Sequence, residues 1–247
     1  VVAATSVVSN RMKNRAWLLV AHCCMQPGEM DGFDWPGYLL QDKCMAHSAQ
    51  MTMDGAHVLC PDIGADKLWL FDLLPGGRIA PCLASDYIQL PGGSGPRHLA
   101  AHPNGRWLYL ICEISCQIVA LSWSCLSGTA GPSISEIGWI TTLPANWPGI
   151  VTPEIGDSLG CTTAHIVVSP DGRFVYGSNR VREDEGSIVC FAVDSDTGAL
   201  SLVSHTPSGG ITPRNFCLSP SGDWLVVANA ASNNVSCLLS QLSIPLH

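Results

Sequence analysis

Three guanidiniums, two imidazoles and one carboxylate stand out in this 247-residue chain. They belong to Arg97, Arg180 and Arg214, to His47 and His165, and to Glu113. A planar guanidinium fork suits bidentate capture of a carboxylate or phosphate. Imidazole and carboxylate suit proton transfer or the activation of a water molecule. Several Arg beside an acid–base pair suggest chemistry on a small anion. No Cys/His set at metal-ligand spacing accompanies them, and no C-x-x-C pair occurs. The expectation is a small anionic substrate, with no metal and no cofactor.

What singles these residues out is their register within a repeat. Four segments share one plan: a strand-like run, a Gly-containing turn, a second run, a polar break and a third run. The turn glycines are Gly55, Gly105, Gly172 and Gly222, spaced 50, 67 and 50 residues apart. Eight positions before them stand His47, Arg97, Ala164 and Arg214, and seven before them Ser48, His98, His165 and Asn215. Seven positions after come Asp62, Cys112, Asn179 and Asn229, and eight after come Ile63, Glu113, Arg180 and Ala230. If the repeats are arranged radially, equivalent positions point to one place, so these groups would gather at one mouth of a central channel.

The elements that would hold them there read as strands. Asp-Gly and Asn-Gly between apolar runs are hairpin signals, since Gly accepts positive φ at little cost. Runs such as WLYLIC and HIVVS are apolar throughout, as expected of strands buried on both faces. The reading is all-β, a β-propeller of four-stranded antiparallel blades. The longer middle interval is taken up by a Gly/Pro/Trp-rich insertion around Pro144 to Gly160. Residues 1–43 do not follow the repeat and remain unassigned, although Trp17–Val20 could form one strand. Residues 44–247 make up the propeller domain.

Composition narrows the partners. With 47% hydrophobic residues the chain can build a sizeable core, and its net charge of −8 argues against nucleic acid. No apolar stretch approaches the ~20 residues of a membrane span. Cys60, Cys112, Cys190, Cys217 and Cys237 sit inside apolar runs, which predicts reduced, structural thiols in a cytoplasmic protein. The bland reading of any single polar residue at a strand end is a turn or inter-blade hydrogen bond, and this applies most to Asp62, Asn179 and Asn229. His98 and His102 read as packing or surface histidines, Asp66 as a turn residue, and Trp69, Trp107 and Trp224 as core. The run Glu183-Asp184-Glu185 reads as a solvated hairpin tip.

At these residues the sequence resembles the seven-bladed propeller lactonases, which include the propeller-type 6-phosphogluconolactonases and the fungal carboxy-cis,cis-muconate cyclases. The resemblance is carried by Pro61-Asp62-Ile63-Gly64-Ala65-Asp66, Gly95-Pro96-Arg97-His98-Leu99, His102-Pro103-Asn104-Gly105, Ser169-Pro170-Asp171-Gly172-Arg173, Ser178-Asn179-Arg180 and Thr212-Pro213-Arg214-Asn215-Phe216. It implies that His47, Arg97, Glu113 and Arg180 lie in the active site, with the arginines holding the substrate's anionic groups and His47 and Glu113 as acid–base groups. Together with the repeat register, the candidate set is His47, Glu113 and Arg180 as catalytic and Arg97, His165, Asn179, Arg214 and Asp62 as substrate-binding. Met45 stands where the family usually has a second histidine, and Cys112 where an Asn usually precedes the Glu. Only four to five of an expected seven blades are legible, which implies an incomplete or open ring.

Three functions follow, and the residues leave all three open. One is an enzyme that hydrolyses a sugar-acid lactone or interconverts a carboxymuconate and its lactone. The others are a non-catalytic propeller acting as a binding platform and an inactive fragment of a lactonase.

Overall fold

The computed structural model describes residues 5–8, 17–20, 44–82, 85–125, 131–147, 160–181 and 183–240. Among them there is no α-helix, and four antiparallel sheets follow one another along the chain. A separate two-stranded ladder pairs β1 (Thr5–Val8) with β2 (Trp17–Val20). The remainder of residues 1–43, residues 148–159 of the expected insertion and everything after Ser240 lie outside the described residues.

The first blade contains β3 (Gln50–Met51), β4 (His57–Asp62), β5 (Lys67–Leu74) and β6 (Arg78–Pro81), with β7 (Tyr87–Gln89) also beside β5. The second contains β8 (Pro96–Ala101), β9 (Trp107–Cys112), β10 (Gln117–Cys125) and β11 (Pro132–Thr141). The third contains β12 (Cys161–Val168), β13 (Phe174–Val181), β14 (Glu185–Val193) and β15 (Leu200–Ile211). The fourth contains β16 (Pro213–Leu218), β17 (Trp224–Asn229) and β18 (Asn234–Leu239). Among the described residues four blades are present, the lower end of the sequence expectation, and the fourth shows three strands rather than four.

All four turn glycines adopt positive φ, between 68° and 82°, as the hairpin signals require. The preceding side chain supports the turn from within. Asp54 Oδ1 accepts the Ala56 amide, Asn104 Oδ1 the Arg106 amide and Asp171 Oδ1 the Arg173 amide.

Alternation along each strand builds a core layer on both faces of a blade. On β9, Leu108, Leu110 and Cys112 pack toward Leu59, Leu68 and Leu70 of the first blade. Trp107, Tyr109 and Ile111 face the other way, onto Ile166, Val175 and Phe191 of the third. A third layer joins Phe174, Tyr176 and Ile188 to Phe216, Leu225 and Val227 of the fourth. This explains why the run WLYLIC is apolar throughout: both of its faces are core.

The fourth blade corrects two expectations. Trp224 is 45% exposed rather than core, and Cys217 and Cys237 are exposed rather than buried. Their side of the sheet faces away from the third blade and carries no layer among the described residues. Cys60, Cys112 and Cys190 are buried as expected, and the ten cysteines among the described residues are all free thiols.

Candidate active site

The inner strands of successive blades lie side by side: β3 and β4 contact β8, β8 contacts β12, and β12 contacts β16. Residues at the head of each first strand therefore meet those at the tail of its neighbours. Here the structure brings Arg97, Glu113 and Arg180 together. Arg97 Nε stands 2.6 Å from Glu113 Oε2, and Arg180 Nη2 stands 2.5 Å from Glu113 Oε1. One carboxylate from the second blade is thus clamped between guanidiniums of the second and third. Arg97 also donates through Nη1 to the Ala164 carbonyl, and Arg180 through Nη2 to the Thr163 carbonyl at 2.9 Å.

Three imidazoles adjoin this cluster. The His47 and His98 ring centroids are 5.2 Å apart, and those of His98 and His165 are 4.9 Å apart. His98 Nδ1 and His165 Nδ1 approach to 2.6 Å, so one carries the proton and the other accepts it. His98 Nε2 lies 3.3 Å from Arg97 Nη1, and His165 packs edge-on to Phe216 of the fourth blade. His98 is the residue that sequence reasoning missed. The signal was present, since it occupies the same repeat position as His165.

Burial and the guanidiniums set the charge states. Burial lowers the His47 pKa to about 4, with Arg97 adding to the effect, and the same two causes lower His165 to about 4. His98 is lowered too, by burial and then by Arg97. All three imidazoles are neutral at pH 7. Burial pulls Arg97 down to about 10, so it stays charged. Burial alone would raise the Glu113 carboxyl, but Arg180 and Arg97 outweigh it and hold it below its ordinary value. Three cations face one anion and three neutral rings. In a chain of net charge −8 this is a locally positive mouth.

The backbone under the site is preorganised. Gly95 adopts a φ of 63°, and its amide donates to Asp66 Oδ1 at 2.7 Å, while the Gly93 amide donates to Asp66 Oδ2 at 2.8 Å. A carboxylate of the first blade thereby fixes the loop that presents Arg97. Arg214 is exposed at the rim, near enough to influence both His47 and Arg97.

Two expected substrate contacts are elsewhere. Asp62 is fully buried, and its oxygens accept the amides of Met45, Gly64 and Ala65 and the Trp69 indole N–H. Three of these bonds fall on Oδ1 and one on Oδ2, so the buried carboxylate is engaged within its own blade. Asn179 donates to the Thr142 carbonyl and to Ser187 Oγ beside a separate groove lined by Trp147, Val181 and His205. Asn229, its repeat equivalent, bonds likewise to the Ser208 carbonyl and Ser236 Oγ. At this repeat position Asp62, Asn179 and Asn229 are each held by hydrogen bonds within the protein. His102 is also structural, its Nε2 lying 2.9 Å from the Gly172 carbonyl.

The fold and site together define a β-propeller whose described mouth gathers guanidiniums, imidazoles and one carboxylate. The chain belongs to the seven-bladed β-propeller lactonase family, whose model matches residues 35–241. It is 34% identical over 196 residues to a 6-phosphogluconolactonase of Formosa agariphila, covering 79% of this chain and 50% of that one. It is 31% identical over 195 residues to the 6-phosphogluconolactonase of Bacillus subtilis, with the same coverage of 79% and 50%. The solved structure of a periplasmic gluconolactonase from Pseudomonas aeruginosa superposes with a TM-score of 0.67 at 28% identity, over 80% of this chain and 50% of that one. The chain spans about half the length of the curated relatives it matches.

Proposed function

We propose that this site hydrolyses the lactone of a phosphorylated or carboxylated sugar acid. The observation that carries the reading is the convergence of Arg97, Arg180 and Arg214 with Glu113 and three neutral imidazoles. Arg214 and Arg180 hold the anionic group of the substrate. His47, neutral at pH 7, takes a proton from water as the water oxygen bonds to the lactone carbonyl carbon. A guanidinium stabilises the resulting oxyanion. The ring C–O bond then breaks, and the leaving oxygen recovers the proton from the imidazolium, giving the open hydroxy acid. Glu113, pinned by two guanidiniums, orients them and is not the base. The free thiols favour a reducing, cytoplasmic compartment for this chemistry.

The test is release of acid from 6-phosphogluconolactone above the spontaneous rate, in wild type and in Arg214→Ala. Arg214 is exposed, so the variant keeps its fold. The expected result is a raised KM with kcat little changed. A wild-type chain that neither accelerates opening nor gains thermal stability from the product acid would reject the reading. It would leave the binding-platform alternative in its place.

A further inference from the structure

A second cluster of reactive side chains lies at the far end of β4 from the candidate active site. Asp54 and His57 flank the first-blade turn, and Cys125 ends β10 of the second blade. One ligand atom from each lies within 4.8 Å of the others. Asp54 and His57 are three residues apart, but Cys125 lies 68 residues beyond His57, so spacing alone did not group the three.

His57 and Asp54 are oriented as ligands, with Cys125 within reach of both. The His57 side chain is more than nine-tenths buried, and its Nδ1 is buried with no hydrogen-bond partner. That nitrogen stands 3.6 Å from Asp54 Oδ2, too far for a hydrogen bond. On the other side of the ring, Nε2 lies 3.5 Å from Asp72 Oδ1, and the two residues face each other across β4 and β5. A proton on Nε2 directed at Asp72 leaves the Nδ1 lone pair turned toward Asp54. A carboxylate behind a metal-binding imidazole is the common way to fix its tautomer. Asp54 is oriented in the same manner: Oδ1 accepts Thr52 Oγ1–H at 2.5 Å and the Ala56 amide at 2.9 Å, which leaves Oδ2 available. The Trp123 ring packs edge-on against His57 and limits its rotation.

We propose that Asp54 Oδ2, His57 Nδ1 and Cys125 Sγ bind one zinc ion, which clamps the outer part of the first blade to the second. Imidazole nitrogen, thiolate sulfur and carboxylate oxygen are the ordinary zinc donors, and a mixed N/S/O set disfavours calcium or magnesium. In a tetrahedral zinc site neighbouring ligand atoms lie about 3.5 Å apart. Cys125 and Asp54 are both exposed, leaving them free to close the remaining ångström. A water fills the fourth position. Binding converts the Cys125 thiol to thiolate and releases its proton to solvent. The role is structural, since the site stands away from the mouth that holds His47 and Glu113.

The experiment is a cobalt titration of the whole chain after stripping with a chelator, followed by displacement with zinc. Wild type should take up one cobalt with a thiolate-to-cobalt charge-transfer band, and zinc should abolish that band and raise Tm. Cys125→Ser and His57→Gln should each lose the band, whereas Cys217→Ser should retain it. Asp72→Asn, which removes only the positioning carboxylate, should weaken binding about 10- to 100-fold. Asp72 and Cys82 form a second possible triad with His57. A band lost in Cys82→Ser but kept in Cys125→Ser would overturn the assignment, and so would a wild-type protein with no thiolate band.

Discussion

Arg97 reaches Glu113 at 2.6 Å with only 2% of its side chain exposed, making this a buried ion pair at the centre of the candidate site. Arg180 completes a triad from the opposite oxygen of the same carboxylate. Removing the carboxylate strands two guanidiniums, and losing one partner of a buried pair costs about 3–5 kcal/mol. Glu113→Ala should therefore lower stability by about 3 kcal/mol in urea melts at pH 7. A loss below about 1 kcal/mol would mean that the triad contributes little to folding.

The same carboxylate gives a pH signature. Its folded pKa is held below its ordinary value of 4.5, so its stabilisation is complete above 4.5 and is lost as pH falls through the folded value. Wild type should lose stability below pH 4.5 more steeply than Glu113→Gln. Parallel curves in that window would contradict the assignment.

The imidazoles act in a different window. His47 and His165 fall from 6.5 to about 4 on folding, so the unfolded chain takes protons that the folded chain refuses. Their contribution is full above pH 6.5 and declines as pH drops toward 4, by about 3 kcal/mol per imidazole over the whole range. His47→Gln should flatten the stability profile between pH 6.5 and 4.5. Lactonase kcat/KM should hold down to about pH 5, since the base remains unprotonated.

Gly95 carries the loop beneath Arg97. A Cβ there would sit 2.6 Å from Ile114 Cγ1, on a backbone already at positive φ. Gly95→Ala should cost about 2 kcal/mol and weaken binding of the anionic product. Gly138→Ala is the control, because a Cβ at Gly138 meets nothing within 4 Å. Equal effects at the two positions would show that Gly95 is not a special site.

The outward side of the fourth blade pairs Trp224 with Leu239 and Val226 with Cys237, and all four are exposed. A contiguous apolar stripe of this kind promotes association. Val226→Lys with Leu239→Lys should raise the monomer fraction on sizing while shifting stability by no more than about 0.5 kcal/mol for each substitution. A monomer fraction that does not change would discount the stripe.

The all-β architecture, the four turns and the blade repeat were legible in the sequence by itself, because hairpin chemistry and strand periodicity are local. Gly55, Gly105, Gly172 and Gly222 announced their turns through residue type alone. Register within the repeat was enough to nominate Arg97, Glu113, Arg180, His47 and His165, since equivalent positions in blades about one axis converge. Which polar residues face the mouth was a tertiary matter. Asp62 and Asn179 share a register with the site, yet they are consumed by bonds to neighbouring loops and strands that no spacing reveals. His98, read as packing, joins the site because the β8–β12 contact brings it onto His165. The Asp54–His57–Cys125 cluster is likewise a product of folding, its donors drawn from two blades. Local conformation depends on neighbours in the chain, whereas the chemistry of a side chain depends on neighbours in space.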